Sequence, residues 1–156
     1  MDHRRPEARH PPAEPVHLGP LADALGYHIR MAQAASFREF QRSVGMKRLR
    51  PGWFTVLSLI NDNPGITAVA LSRAAGRDKS TMTPLLRELE RGGLIARLDV
   101  PEDRRCHALR LTEAGSAAFA RLALSAREHD QALDALAGDD KAAVIGFLRR
   151  VIASFE

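Results

Sequence analysis

The chain has 156 residues, carries 23 lysine and arginine residues against 19 aspartate and glutamate residues, and is 45% hydrophobic. That length suits one compact domain, and that hydrophobic share excludes wholesale disorder. No apolar run approaches the roughly 18 residues that cross a bilayer, and the N-terminus lacks the apolar core of a secretory signal. The single cysteine, Cys106, excludes an internal disulfide and a CxxC metal pair. We therefore expect a cytoplasmic protein without membrane partner, metal or cofactor, and the basic balance favours nucleic acid as the partner.

Two predicted helices follow a proline-rich start. Residues 1–17 hold four prolines among charged side chains, which predicts a disordered tail because proline removes backbone donors and breaks helices. From Leu21 to about Val44, apolar side chains recur at three- and four-residue steps, the spacing of one helix face. Pro51 suits the first turn of a second helix, and Asn61 begins the polar segment that ends it.

Two shorter helices joined by a tight turn come next. A short piece, residues 66–67, leads into a third helix over about residues 68–75, with Gly76 as its C-terminal cap. Asp78 is a suitable N-cap for a fourth helix over about residues 79–91. The expected buried face of this fourth helix consists of Met82, Leu85, Leu86 and Leu89. The arrangement is typical of a helix-turn-helix, whose second helix lies in the major groove of DNA.

A β-hairpin and two further helices complete the chain. Residues 94–99 and 105–111 are predicted strands around a polar tip, and Thr112 caps a fifth helix that runs to about Leu136. Gly138 separates it from a sixth helix. The fifth helix has a 3-4-3-4-3 spacing, typical of a helix-packing seam, at Phe119, Leu122, Ala126, His129, Leu133 and Leu136. The sixth helix presents Val144, Leu148, Val151, Ile152 and Phe155.

These elements predict a mainly α fold with a small β wing, organised as one domain over residues 18–156. Residues 50–111 would form a winged helix-turn-helix that binds DNA. The helices in residues 18–46 and 112–156 are the expected dimerisation helices, because a monomer would leave the apolar seams of the last two exposed.

The helix-turn-helix and the hairpin tip supply the candidates for DNA contact. The solvent side of the fourth helix and the residue before its cap carry cationic and hydroxyl side chains suited to phosphates and bases, at Arg77, Lys79, Ser80, Thr81, Thr83 and Arg87. The tip of the wing adds Asp103, Arg104 and Arg105, where a hairpin can reach the minor groove. The alternative for these residues is an ordinary solvated helix face and wing surface.

Residues 76–115 resemble the core of the MarR family of transcriptional regulators. The resemblance lies in DKSTMT at the recognition helix, LERGGLIAR leading into the wing, DRR at the wing tip and LTEAG opening the next helix. It implies a homodimer built from the terminal helices that binds a pseudo-palindromic operator and responds to a small ligand. By the same resemblance, Arg105 enters the minor groove and Asp103 orients it.

The segment TMTPLLRELE, with Pro84 inside a helix, resembles a branch of this family that senses organic peroxides. The sensing cysteine of that branch lies in the first helix, in a motif similar to LCFALY. The matching stretch here is LGYHIR, in which Gly26 stands where the thiol would be. We therefore expect no peroxide sensing by that route. Cys106, flanked by Arg105 and His107, is either a small strand residue or an alternative redox sensor.

Five residues are candidates for effector binding. Aromatic rings beside cationic groups suit a flat anion such as an aromatic acid or its coenzyme A thioester, because the ring stacks and the arginine binds a carboxylate or phosphate. Four of these candidates lie on the first predicted helix: Tyr27, His28, Arg30 and Arg38. The fifth is Trp53, at the beginning of the second. The alternative is that the rings fill the core and Arg30 points to water.

The sequence thus favours a ligand-responsive DNA-binding regulator, most simply a repressor released from its operator by a small anionic effector. One alternative is a redox-responsive regulator that uses Cys106, and another is an architectural DNA-binding protein without effector. An enzyme is not expected, because HExxH, GxSxG, the phosphate-loop motif and GxGxxG are all missing from the sequence.

Overall fold

The computed structural model describes residues 16–45, 49–99 and 107–155. Their contacts divide the chain into two compact units, with the boundary between Ala35 and Ser36. The helices and strands are α1 (Leu25–Val44), α2 (Trp53–Asp62), β1 (Ile66–Thr67), α3 (Ala68–Ala74), α4 (Lys79–Arg91), β2 (Ile95–Asp99), β3 (His107–Leu111), α5 (Glu113–Ala137) and α6 (Lys141–Phe155). The predicted mainly α fold with a small β wing is confirmed, while the division into domains and the role of the terminal helices stay predictions.

The first helix begins later than its apolar pattern predicts. Gly19–Asp23 form a 3-10 turn, and Ala24 then adopts an extended conformation with φ −81° and ψ 113°. Because that conformation interrupts the helical path, the predicted continuous helix from Leu21 is wrong and α1 starts at Leu25. Leu21 and Leu25, which open the predicted apolar pattern, are exposed in the single chain.

The second helix also begins after its predicted start at Pro51. Gly52 precedes Trp53 with φ 90°, a left-handed conformation that separates Pro51 from the helix. The helix runs to Asp62, one residue past the predicted stop at Asn61. Glycine is suited to this position because it adopts positive φ without steric cost.

A three-stranded antiparallel sheet takes the place of the simple hairpin. Its strand order is β1-β3-β2, so the short piece before α3 pairs with the wing. Ile66 lies opposite Leu109, and Arg97 lies opposite the same residue on the other side of β3. β1 was not predicted as a strand, because two residues are too few to show an alternating pattern.

The core packs α2, α4 and α5 against the sheet. The predicted buried face of α4 is confirmed, and Met82, Leu86 and Leu89 are each at most 2% exposed. They share one apolar cluster with Leu57 of α2 and Leu122 of α5. Within the described residues no helix has the length and apolarity that a bilayer span requires.

The start of α5 lies against the turn that follows α4. Thr112 caps the helix by accepting a hydrogen bond from the Gly115 amide at 3.0 Å, and its own amide donates to the Leu94 carbonyl at 3.1 Å. Gly115 is buried, and a Cβ built there would lie 1.8 Å from that carbonyl oxygen. The close approach therefore requires glycine at this position.

Replacing Gly115 with alanine is expected to lower the free energy of unfolding by about 2 kcal/mol, because overpacking a fixed backbone contact displaces α5. Urea denaturation of the purified chain measures the change. The matched control is Gly26→Ala in α1, where a Cβ meets nothing within 4 Å and no loss is expected. Equal stability of the Gly115 variant and the intact chain would contradict the close approach.

Candidate nucleic-acid interface

The turn between α3 and α4 is fixed by hydrogen bonds at both helix ends. Thr67 caps α3 by accepting from the amide of Ala70 at 3.2 Å. After α3, Gly76 takes a positive φ of 57°, and the amide of Arg77 donates to the carbonyl of Ser72 at 2.9 Å. These bonds reverse the chain over a short turn and set the direction of α4.

Asp78 is the N-cap of α4, as its sequence position predicts. One carboxylate oxygen accepts from the Ser80 hydroxyl at 2.6 Å and from the Thr81 amide at 2.8 Å. The bond from Ser80, followed by that from Thr81, lowers the pKa of the Asp78 carboxyl below its ordinary value. The residue therefore stays ionised at the positive end of the helix dipole, where a negative charge is favoured.

The cap also determines what two of the predicted DNA contacts can offer. The Ser80 hydroxyl donates to Asp78, and the Thr81 hydroxyl donates to the carbonyl of Asp78 at 3.1 Å. Both hydroxyls thus direct their hydrogens into the turn and keep oxygen lone pairs for a ligand. Both side chains are exposed.

The solvent-facing side of α4 carries the other predicted contacts. Lys79 and Arg87 are exposed, and Thr83 is half-buried at the edge of the same face. Arg91, one turn beyond Arg87, is also exposed, and its Nε donates to the Arg87 carbonyl at 3.2 Å. Arg91 was not among the predicted contacts, although its four-residue step from Arg87 places it on the same helix face.

Arg77 lies apart from that face. Its guanidinium donates to the carbonyl of Pro51 at 2.9 Å and covers Gly52, where a Cβ would lie 2.3 Å from a guanidinium nitrogen. The half-buried side chain therefore ties the start of α4 to the start of α2. Its predicted contact with DNA stays a prediction.

Two ion pairs join α4 to its neighbours. Arg50, which precedes α2, places Nε 3.1 Å from a carboxylate oxygen of Glu88. Arg97 of β2 places Nε 3.1 Å from a carboxylate oxygen of Glu90. Neither pair was predicted from the sequence, because ion pairs between different elements do not appear in helix or strand periodicity.

The wing is described up to the ends of its strands. Five residue pairs connect β2 and β3, from Ile95 opposite Leu111 to Asp99 opposite His107. The predicted tip residues Asp103, Arg104 and Arg105, like Cys106, lie outside the described residues.

Three of the effector candidates lie in the first unit, on the N-terminal part of α1. Nε2 of His28 lies 2.7 Å from the carbonyl oxygen of Ala22, so this imidazole is engaged by its own segment. The guanidinium carbon of Arg30 lies 5.8 Å from the centroid of the Tyr27 ring. That distance suits a cation–π contact between these two side chains.

The other two candidates lie in the second unit. Arg38 is exposed on α1, and Trp53 is half-buried at the start of α2. The indole Nε1 of Trp53 is buried and finds no acceptor among the described residues. A buried donor without an acceptor is uncommon, because it loses its bond to water without replacement.

Aromatic rings of α1, α2 and α5 meet within the second unit. The rings of Phe40 and Phe54 lie 5.8 Å apart, and Phe54 stacks on Phe119 at 6.1 Å. His129 lies beside Phe40, with its Nε2 2.8 Å from the Ser36 hydroxyl oxygen. In the part of the chain that is described, no group of three or more His, Cys, Asp or Glu side chains is placed to hold a metal ion.

Capped α3 and α4, the tight turn between them and the antiparallel wing define a winged helix-turn-helix protein. The family model of the MarR family matches residues 49–107. A regulatory protein of Thauera aromatica, described as putative for the hcr operon, is 36% identical over 151 residues, which cover 96% of this chain and 90% of the relative. The chain belongs to the MarR family of transcriptional regulators, and its relatives are regulators rather than enzymes.

Solved structures agree with this assignment. The repressor CouR bound to a 23-mer DNA duplex is 33% identical with a TM-score of 0.75, covering 89% of this chain and 99% of that one. CouR bound to p-coumaroyl-CoA is 31% identical with a TM-score of 0.79, covering 90% and 100%. The PcaV regulator of Streptomyces coelicolor with its natural ligand is 26% identical with a TM-score of 0.76, covering 90% and 97%.

Proposed function

We propose that this protein is a ligand-responsive repressor that binds a pseudo-palindromic operator as a homodimer and leaves it when a small anionic aromatic effector binds. The observation that carries the proposal is the two-sided character of α4. One side of α4 is buried in the core, and the opposite side presents exposed cationic and hydroxyl side chains. α4 is also the second helix of the helix-turn-helix.

The DNA-contacting surface comprises the exposed side of α4 and the wing. An α-helix fits the major groove, where cations and hydroxyls meet base edges and phosphates. CouR, similar to this chain along nearly its full length, has been solved on a DNA duplex. The proposed contacts are Lys79, Ser80, Thr81, Thr83 and Arg87 on α4, Arg77 in the turn before α4, and Asp103, Arg104 and Arg105 at the wing tip.

Replacing Arg87 with glutamine is expected to weaken binding to a duplex that the protein selects from a random-sequence pool, by roughly 1–3 kcal/mol, because the reading face then has one cation fewer. Fluorescence anisotropy at fixed salt measures the affinity. Arg127→Gln, an exposed arginine of α5, is the matched control and should bind as the intact chain does. Failure of the intact chain to select any duplex would contradict the proposed function.

The homodimer is proposed from the apolar surface at the end of the chain. Leu136 near the end of α5 is 85% exposed in the single chain, and Ile152 and Phe155 of α6 are 55% and 87% exposed. Leu148, also on α6, is 38% exposed. Large exposed apolar side chains that gather on one surface mark an interface, and we propose that α6 contributes to one. A twofold dimer places two copies of α4 in successive major grooves, about 34 Å apart.

Replacing Leu148 with glutamate is expected to convert the dimer to a monomer and to abolish tight binding of the selected duplex, because a charge would be buried in the interface. Analytical ultracentrifugation and anisotropy measure the two effects. Leu98→Glu is the matched control for the oligomeric state alone, since both leucines are 38% exposed and Leu98 lies on β2 of the wing, away from α6. A Leu148 variant that remains dimeric would place the interface elsewhere.

The effector is proposed from the chemistry beside α2. The buried Nε1 of Trp53 lacks an acceptor among the described residues, and an anionic oxygen would supply one. The rings of Phe40, Phe54 and Phe119 in the same unit are the proposed stacking partners of an aromatic ligand, and Arg38 is the proposed cation. CouR, at 31% identity, has been solved with p-coumaroyl-CoA. Tyr27, His28 and Arg30 of the first unit stay predicted effector contacts.

Trp53→Phe is expected to raise the concentration of effector that releases DNA by roughly ten- to a hundredfold, because it removes one hydrogen bond to a charged group and keeps a ring. The probes are p-coumaroyl-CoA and free hydroxycinnamate and benzoate, titrated against the complex with the selected duplex. DNA affinity without effector should not change. Arg38→Gln should also raise the effector concentration that releases DNA. Arg42→Gln is its control, since Arg42 of the same helix is paired with Glu39 at 2.6 Å.

If p-coumaroyl-CoA and both free acids leave the complex of the intact chain unchanged, the proposed effector class is wrong and DNA binding stands. If release occurs and both variants respond as the intact chain does, the effector binds elsewhere.

A further inference from the structure

The exposed face of α4 is bordered by two ion pairs, one on each side. Each residue of an α-helix is rotated by about 100° from the one before it. Glu88 therefore lies about 100° from Arg87 in one direction, and Glu90 lies about 60° from it in the other. The two carboxylates mark opposite borders of the face that carries Arg87, and each is partly exposed.

Each carboxylate is paired with an arginine from a different element. Arg50 comes from the segment before α2, and Arg97 comes from β2 of the wing. In both pairs Nε makes the ionic contact at 3.1 Å, and a guanidinium has four further N–H groups on its two terminal nitrogens. The Arg50 side chain is 67% exposed and that of Arg97 is 31% exposed. Both arginines thus lie beside the exposed face of α4 with donors to spare.

We propose that Arg50 and Arg97 bind DNA phosphates, one on each of the two backbones that border the groove occupied by α4. The proposal rests on the proposed function, because it takes α4 as the helix that enters DNA. A helix with its side chains is about 10–12 Å wide and the major groove is about 12 Å wide, so cations at the borders of the helix face meet the phosphates on either side. Guanidinium groups bind phosphate oxygens through paired N–H donors.

The charge balance of the two pairs distinguishes a direct phosphate contact from a long-range attraction. A carboxylate beside each arginine cancels most of its long-range attraction to DNA, so the pairs contribute little to the electrostatic steering of the chain toward DNA. A phosphate that reaches the free donors of the guanidinium still gains a direct charge-assisted hydrogen bond. Exposed ion pairs add little to stability, so the fold is expected to survive the loss of either arginine.

The test is the salt dependence of binding to the duplex selected by the intact chain. Removing one phosphate-binding cation reduces the steepness of the plot of log affinity against log salt by about 0.9 per bound chain. Arg50→Gln and Arg97→Gln should each show this reduction, and each should weaken the selected duplex and an unrelated duplex by a similar factor, because phosphates carry no sequence information. Arg127→Gln should leave the steepness unchanged.

Two further variants separate a phosphate contact from other effects. The double variant R50Q/E88Q keeps the net charge of the intact chain, so its steepness falls only if Arg50 touches a phosphate. Arg50→Lys keeps a cation at the site and should restore the steepness. Urea midpoints of all variants check that the fold is retained.

If the intact chain binds the selected duplex and neither glutamine variant changes the steepness, the inference is overturned while the proposed function stands. A change in only one of them overturns the two-sided arrangement. A steepness of R50Q/E88Q equal to that of the intact chain shows a long-range charge effect and also overturns the inference. If the intact chain binds no duplex selectively, the proposed function itself fails.

Discussion

Met82, Leu86 and Leu89 bury one side of α4 in the same core as Leu57 of α2 and Leu122 of α5. Each fully buried side chain of this size contributes about 1.5–3 kcal/mol, which is far more than any exposed contact of the helix. This burial fixes the rotation of α4 about its axis. The opposite side is therefore presented to solvent whatever residues it carries, and those residues are free to serve DNA binding.

The two ends of α4 are held by different means. At the N-terminus, the ionised carboxylate of Asp78 accepts from Ser80 and Thr81, so the first turn is closed by polar bonds. After the C-terminus, the Leu94 carbonyl accepts a hydrogen bond from the Thr112 amide, and Gly115 allows α5 to approach that carbonyl. The direction of α5 therefore depends on where α4 ends.

Much of this arrangement was predictable because it is local. Asp78, the bounds of α4 and its buried face follow from a cap residue and a 3.6-residue period, which a sequence displays directly. The features that were missed depend on contacts across the chain. β1 exists because β3 pairs with it, and Gly52 adopts its left-handed conformation under the guanidinium of Arg77. Neither contact leaves a periodic pattern, so the late start of α2 and the third strand required the structure.

The same distinction between local features and contacts across the chain applies to the candidate site. The exposed residues of α4 were named from the sequence because a helix face can be counted, whereas Arg50 and Arg97 were not, since their carboxylate partners lie 38 residues later and 7 residues earlier along the chain. The predicted roles of the wing-tip residues came from the resemblance to a family, because hydrophobic periodicity does not indicate what a residue binds. The lack of an acceptor for the indole N–H of Trp53 could not be predicted either, because it depends on which groups surround the side chain in the fold.

The path of α5 gives the proposed regulation a physical route. Its first turn is bonded to the segment that ends α4, where the Thr112 hydroxyl donates to the Gly93 carbonyl at 2.5 Å. Two turns on, Phe119 stacks on Phe54 beside the proposed effector residue Trp53, and His129 lies against Ser36 of α1. We propose that an effector inserting among these rings displaces side chains of α5. Because the backbone at Gly115 lies close to the Leu94 carbonyl, a shift of α5 would then reach the end of α4. A coupling of about 1–3 kcal/mol through such a contact is enough to weaken DNA binding some 5- to 150-fold.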